Sequence, residues 1–115
     1  MVLQIETRKL DPDITVLAFT GKVTMGRESQ RIESLITDLL RQDQKKIIFD
    51  LSGVDYMDST GIGIIAYCSA TVAQAGGKLH LAVGAGGKVE HLLNATRLAN
   101  IISCHPSVEA AGKAF

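Results

Sequence analysis

The spacing of apolar residues along the chain changes between every second position and helical intervals, and this change predicts an α/β fold. In the ranges 3–7 and 16–20 apolar and polar residues alternate, and the turn-forming residues 11–13 lie between them. Alternation on both sides of a turn predicts an antiparallel hairpin. From about Arg27 to Gln42 the apolar residues recur every three or four positions, which predicts an amphipathic helix.

The rest of the chain alternates strand and helix patterns. The predicted strands are 46–51, 79–83 and 101–103, the predicted helices are 59–75, 88–96 and 107–113, and the predicted loops include 21–26 and 84–87. Gly76-Gly77 gives the backbone freedom for a left-handed end to the second helix. Strands that alternate with helices indicate βαβ crossovers. We therefore expect one domain over residues 1–115, with a mixed, mostly parallel sheet of four to five strands, an N-terminal hairpin and about four helices.

Charge and composition argue against two classes of partner. Lys plus Arg and Asp plus Glu number 12 each, so no net charge would steer the protein to nucleic acid or to an anionic membrane. The uncharged stretch between Asp58 and Lys78 approaches the length of a membrane span. Its Gly, Ser, Thr and Gln content nevertheless favours a buried or partner-facing helix. We therefore predict neither a nucleic-acid partner nor a membrane partner.

Cysteine and histidine usage gives no sign of a disulfide or a metal site. Cys68 and Cys104 fit neither a disulfide framework nor a zinc pattern, and the N-terminus lacks the features of a signal peptide. We therefore predict reduced, buried thiols and a cytoplasmic location. His80, His91 and His105 lack His-x-x-x-His spacing, so we predict no metal.

The uncharged stretch begins with Ser59-Thr60-Gly61-Ile62-Gly63, directly after Asp58 and at the start of a helix pattern. A hydroxyl in the first turn of a helix lies among unpaired N–H groups at the positive end of the helix dipole, where phosphate is readily held. We therefore predict the working site at Ser59. A simpler interpretation is that Asp58 or Ser59 only caps the helix. The two glycines favour more than a cap, because each costs up to ~1 kcal/mol of helix stability and allows close backbone approach.

The outward face of this helix also lacks charge. Helical spacing predicts Thr60, Tyr67, Thr71 and Gln74 as outward residues, where a solvated helix usually carries Lys or Glu. Interface cores are depleted in charge and enriched in Tyr, so this pattern favours a docking face. The alternative is a helix that the rest of its own fold covers.

Ser59 is a weak candidate for a catalytic nucleophile. It lacks the Gly-x-Ser-x-Gly context, although a distant histidine could approach it in the folded chain. Residues 84–88 are part of an incomplete phosphate-binding loop motif, because Ala82 stands where the first glycine is required and Val89 stands where the hydroxyl residue is required. We therefore predict no enzymatic activity, no catalytic residue and no cofactor.

Residues 53–63, Gly-Val-Asp-Tyr-Met-Asp-Ser-Thr-Gly-Ile-Gly, closely resemble the phosphorylation segment of STAS domains, specifically the bacterial anti-sigma-factor antagonists. The likeness runs nearly end to end and includes the hairpin, the turn at Gly21 and the segments 49–51, 76–79 and 96–98. The resemblance implies a small α/β domain that binds a kinase-type anti-sigma factor.

The same resemblance implies a switch by phosphorylation. In this family the unphosphorylated antagonist sequesters the anti-sigma factor and so releases the sigma factor. The anti-sigma factor, a serine kinase, uses ATP to phosphorylate the residue matching Ser59 and ends the binding, and a PP2C-type phosphatase is the further partner implied. The partner-binding residues implied are Asp58, Ser59, Thr60, Gly61, Ile62, Gly63, Tyr67, Lys22 and Thr24.

Two positions depart from the family pattern. Lys22 follows the Gly21 turn where the family often has an acidic residue, and Arg97 stands where it often has glycine. The first departure indicates an atypical partner, and the second predicts a strained left-handed turn or a different helix end. Two other functions stay open, namely a STAS scaffold or sensor subunit that acts without phosphorylation, and a small hydrolase that uses Ser59.

Overall fold

The computed structural model describes residues 3–11, 13–23, 27–84 and 88–115. Within these residues the chain forms strands, α-helices and one 3-10 turn, Leu98–Asn100. The strands are β1 (Gln4–Asp11), β2 (Ile14–Val23), β3 (Lys46–Met57), β4 (Lys78–Ala82) and β5 (Cys104–His105). The helices are α1 (Arg27–Arg41), α2 (Ser59–Gln74), α3 (Lys88–Ala95) and α4 (Val108–Lys113). The predicted α/β architecture and the N-terminal hairpin are confirmed.

The strands form one mixed sheet in the order β1-β2-β3-β4-β5. β1 and β2 are antiparallel, and each later pair of neighbours is parallel. Helices α1, α2 and α3 contribute to the larger core, which includes Phe19 and Phe49 with ring centroids 4.9 Å apart. Helix α4 packs on the other face of the sheet, over Val16 and Ile48. The middle strand, β3, therefore leads directly from the core to the start of α2.

Strands β2 and β3 are longer than the sequence pattern predicts. β2 continues to Val23 and β3 to Met57, so the loop predicted from residue 21 and the end of the strand predicted at residue 51 were wrong. Residues 20–23 of β2 pair with residues in the range 53–57 of β3, beyond the last pair between β3 and β4. Gly53 permits this approach, because a Cβ there would lie 2.9 Å from the Phe19 carbonyl oxygen.

The segment before β5 also differs from the prediction. The edge strand predicted at residues 101–103 was wrong, since β5 is Cys104–His105 and the chain before it turns. The N–H groups of Ile101 and Ile102 both donate to the Leu98 carbonyl oxygen. Arg97 precedes this turn with φ of 63°, so the left-handed conformation expected there is confirmed. Residues 85–87 of the predicted loop 84–87 lie outside the described residues.

The two thiols differ in burial. Cys68 is fully buried in α2, and burial, with a smaller contribution from the charge of Glu33, raises its pKa to about 12. Cys104 is half-buried, and burial raises its pKa as well. Both thiols are therefore protonated at neutral pH. None of the described helices combines the length and the apolar character that a membrane crossing requires.

A pair of histidines lies between the sheet and α4 with unusual surroundings. The His80 ring is 5.2 Å from the His105 ring and 4.3 Å from the Phe115 ring, between centroids. Among the described residues, three buried ring nitrogens have no hydrogen-bond partner, namely Nδ1 and Nε2 of His80 and Nε2 of His105. Burial lowers the pKa of His80 from its ordinary value, and the charges of His105 and Lys78 lower it further. His80 therefore binds a proton less readily in the folded protein than in the unfolded chain.

We expect the stability of the fold to fall as pH falls below the ordinary histidine pKa of about 6.5, because the unfolded chain then takes up a proton more readily than buried His80 does. The fall is at most about 1.4 kcal/mol per pH unit for each proton taken up on unfolding. Urea unfolding of the parent and of His80→Leu from pH 8 to pH 5 measures it. The decrease in the free energy of unfolding per pH unit should become smaller in His80→Leu. It should stay the same in His91→Gln, which changes an exposed histidine. An unchanged slope in His80→Leu would place the sensitivity elsewhere.

Candidate functional site

The site begins where β3 ends and α2 starts. Asp58 is the N-cap of α2, and its Oδ1 accepts a hydrogen bond of 2.9 Å from the Gly61 N–H. The Asp58 carbonyl accepts the first helical bond, 3.1 Å from Ile62 N. The capping expected of Asp58 or Ser59 is thus performed by Asp58, a role that contributes about 1 kcal/mol to stability.

Ser59 is the first residue of α2 and is exposed. Its hydroxyl has no hydrogen bond to any other described residue, because the capping role belongs to Asp58. The backbone N–H groups of the first turn and the positive end of the helix dipole lie beside it. The geometry therefore offers a free hydroxyl at a place where an attached or bound anion is stabilised.

The two glycines of the first turns have different surroundings. Gly61 is buried, and a Cβ there would lie 2.5 Å from the Val23 carbonyl oxygen and 2.6 Å from Met57 Cγ. Gly63 is exposed, and a Cβ there would meet no described atom within 4 Å. The absence of a side chain at Gly61 thus lets β2 and β3 pack against α2, whereas Gly63 leaves open space on the surface.

The outward face of α2 is uncharged and open. Its inward face is formed by Gly61, Ile64, Ile65, Cys68 and Val72, which are buried. Tyr67 is 56% exposed and Gln74 is exposed, as predicted. Thr60, Ile62 and Thr71 are half-buried. The alternative in which the fold itself covers this helix is therefore wrong for the described residues.

The end of β2 lies beside the start of α2. Lys22 is exposed in β2, opposite Tyr56 in β3, and its neighbour Val23 contacts the turn at Gly61. Lys22 therefore belongs to an extended strand rather than to the predicted loop. Thr24, which the sequence analysis also assigned to the partner surface, lies outside the described residues.

Tyr56 is a residue of this region that the sequence analysis missed. Its side chain is 50% exposed at the end of β3. With Met57, His91 and residues of α3 it lines a groove of about 210 Å³. The signal in the sequence is an aromatic residue two positions before Asp58, in a segment that the pattern predicted to be a loop.

The family model for the STAS domain matches residues 4–111. The chain belongs to the STAS domain family.

Solved structures with the same fold include proteins described as anti-sigma factor antagonists. One is an anti-sigma factor antagonist from Mycobacterium paratuberculosis, 17% identical, with a TM-score of 0.84 over 98% of this chain and 93% of the other. A putative anti-sigma factor antagonist from Thermotoga maritima is 20% identical, with a TM-score of 0.78 over 95% and 92% of the two chains. The Bacillus cell fate determinant SpoIIAA in its phosphorylated form is 15% identical, with a TM-score of 0.72 over 97% and 100%. At these identities the likeness shows a shared fold.

No catalytic triad surrounds Ser59 among the described residues of this STAS domain. His80 and His105 pack on the α4 face of the sheet, whereas Ser59 begins a helix on the opposite face. His91 is exposed on α3 and lines the groove with Met57, but its ring makes no hydrogen bond to Ser59. The distant-histidine route to a nucleophilic serine is therefore absent from this part of the chain.

Proposed function

We propose that this STAS domain is an anti-sigma-factor antagonist whose binding to a kinase-type anti-sigma factor is switched off by phosphorylation of Ser59. The observation that carries the proposal is the free, exposed Ser59 hydroxyl, released from capping by Asp58, beside an open and uncharged helix face. Membership of the STAS family and the similarity to anti-sigma factor antagonists support the same function.

The partner surface proposed here runs along the outward side of α2 and onto the end of β2. Gly61 acts through packing, because it is buried, and the contacting atoms come from the residues around it. The open space at Gly63 and the exposed ring of Tyr67 suit a closely fitted apolar contact. The proposed contact residues are Asp58, Ser59, Thr60, Ile62, Gly63, Tyr67 and Lys22.

A phosphate on Ser59 would act on this surface through its charge. It adds roughly −1.5 to −2 charges where the outward side of α2 has none. Closing a dry interface over that charge costs desolvation energy, and any carboxylate on the partner adds repulsion. The cap of α2 already exists in Asp58, so the phosphate needs no refolding of the helix. The switch is therefore local.

Phosphorylation by a candidate partner is the direct test. The protein is incubated with ATP and each candidate anti-sigma kinase, and the modified residue is located by peptide mass spectrometry. We expect one phosphate on Ser59, none on the adjacent Thr60, and none anywhere in Ser59→Ala. A PP2C-type phosphatase should remove it. Failure with every candidate kinase would favour a STAS scaffold or sensor subunit that acts without phosphorylation.

A further inference from the structure

Strand β1 forms an outer edge of the sheet. It pairs with β2 on one side, and no other described strand pairs with its second side. An outer edge presents unpaired backbone donors and acceptors and can add a further strand. The antiparallel register between β1 and β2 shifts between Lys9 and Asp11, so the regular part of the edge ends near Lys9.

The charges along β1 are self-complementary in one register. Two copies of β1 related by a two-fold axis would pair antiparallel, and each face of the sheet would continue across both copies. Residues directly opposite each other then have their side chains on the same face, so the axis must pass through a residue position that lies opposite itself. Centred on Thr7, the pairing places Glu6 opposite Arg8 twice, Thr7 opposite Thr7, and Ile5 opposite Lys9. Centring on Glu6 or on Arg8 would place like charges directly opposite each other. Opposite charges and Thr–Thr pairs stabilise antiparallel neighbours, and like charges destabilise them.

We propose that β1 is a homodimerisation edge, where a second copy of this chain pairs antiparallel about Thr7 and continues the sheet across both copies. The side chains that would form the new ion pairs are accessible. Arg8 is 54% exposed, and its distance of 3.8 Å to Asp50 makes only a loose pair. Glu6 is exposed.

The groove between β1 and α1 supports the same arrangement. It has a volume of about 580 Å³ and is lined by Ile5, Thr7, Leu35, Arg31 and Asp38, among others. The axis through Thr7 reverses α1 in the second copy, so the Arg31 end of each helix faces the Asp38 end of the other. Strand pairing alone covers less than the roughly 1,200 Å² of a standard interface. The joined grooves add contact area, and the dimer should still be weak.

The dimer edge and Ser59 belong to different elements of the fold, which are not neighbours in the sheet order. Ser59 follows β3, which β2 separates from β1, so a β1 dimer leaves the Ser59 surface open. Loss of dimerisation and loss of partner binding are therefore separate results. The dimer would present two Ser59 sites in one assembly.

Charge reversal on the edge gives a test with an internal control. Sedimentation equilibrium over about 10 µM to 1 mM covers the expected weak affinity. We expect the parent mass to rise above 12.3 kDa with concentration. Arg8→Glu alone and Glu6→Arg alone should each weaken self-association about tenfold or more, because each places like charges opposite one another twice. Circular dichroism confirms that each variant is folded.

The two single variants should then associate with each other when mixed. In Arg8→Glu both charged positions of the edge are acidic, and in Glu6→Arg both are basic, so the mixed pair again brings opposite charges together twice. Asp50→Asn, which removes the existing neighbour of Arg8, should dimerise like the parent. A parent that stays monomeric at every concentration overturns the proposal. A dimer that both reversals leave unchanged, or two folded variants that do not associate on mixing, overturns it as well.

Discussion

We expect Gly61→Ala to destabilise the protein by about 2 kcal/mol, although alanine is the better helix former. The added Cβ would lie 2.5 Å from a backbone oxygen, that of Val23, and 2.6 Å from Met57 Cγ. Both residues are buried, and Val23 and Met57 are paired across β2 and β3. The strand ends would have to move away from α2 to make room, which costs more than the gain in helix propensity. Urea unfolding at pH 8 measures the change.

Gly63→Ala is the matched control, two residues further along the same helix. No described atom lies within 4 Å of a Cβ at this position, so the change should stabilise the protein by about 0.5–1 kcal/mol. The same substitution of glycine by alanine would then lower the stability at Gly61 and raise it at Gly63. A general effect of alanine on this helix would change the stability in the same direction at both positions. Equal effects of the two substitutions would contradict the close contact at Gly61.

The second large effect is expected on partner binding. Ser59→Asp should weaken binding to the kinase-type anti-sigma factor by about 10- to 100-fold, since it places a permanent charge in the proposed interface. Ser59→Ala should bind as the parent does. An acidic residue in the first turn of a helix is favourable by about 0.3–1 kcal/mol, so Ser59→Asp should at the same time be slightly more stable. Isothermal titration and urea unfolding measure the two effects.

This combination separates a switch from damage to the fold, because a misfolded variant would lose stability and binding together. Asn94→Asp adds the same charge at an exposed position on α3 and should leave binding unchanged. Equal binding by the parent, Ser59→Ala and Ser59→Asp would exclude a charge-operated switch at this residue.

Elements that the local spacing of apolar and polar residues determines could be predicted from the sequence. The helical spacing of apolar residues located α1 and α2 to within a residue or two, and alternation around a turn located the hairpin. The cap at the Asp58-Ser59 pair was also expected from local chemistry, whereas the left-handed turn at Arg97 was one of two outcomes implied by the resemblance to the STAS family. Local preference and final structure agree at these positions.

The features that the sequence analysis missed depend on contacts between distant segments. The glycines at 21 and 53 signal a loop locally, yet β2 and β3 extend through them because the two strands pair. β5 forms at Cys104–His105 rather than at 101–103, because that is where the chain meets β4. The exposure of Tyr56 follows from the same strand extension. Only the folded chain distinguishes buried Gly61 from open Gly63.

Titration of phosphorylated and unphosphorylated protein against the same kinase-type anti-sigma factor tests the switch at Ser59 most directly. Both forms come from one preparation, and mass spectrometry confirms that the phosphate is on Ser59. We expect the unphosphorylated form to bind at least about 100-fold more tightly, because the phosphate brings up to two charges to an uncharged face. Equal affinities of the two forms for this anti-sigma factor would contradict a switch operated by phosphorylation of Ser59.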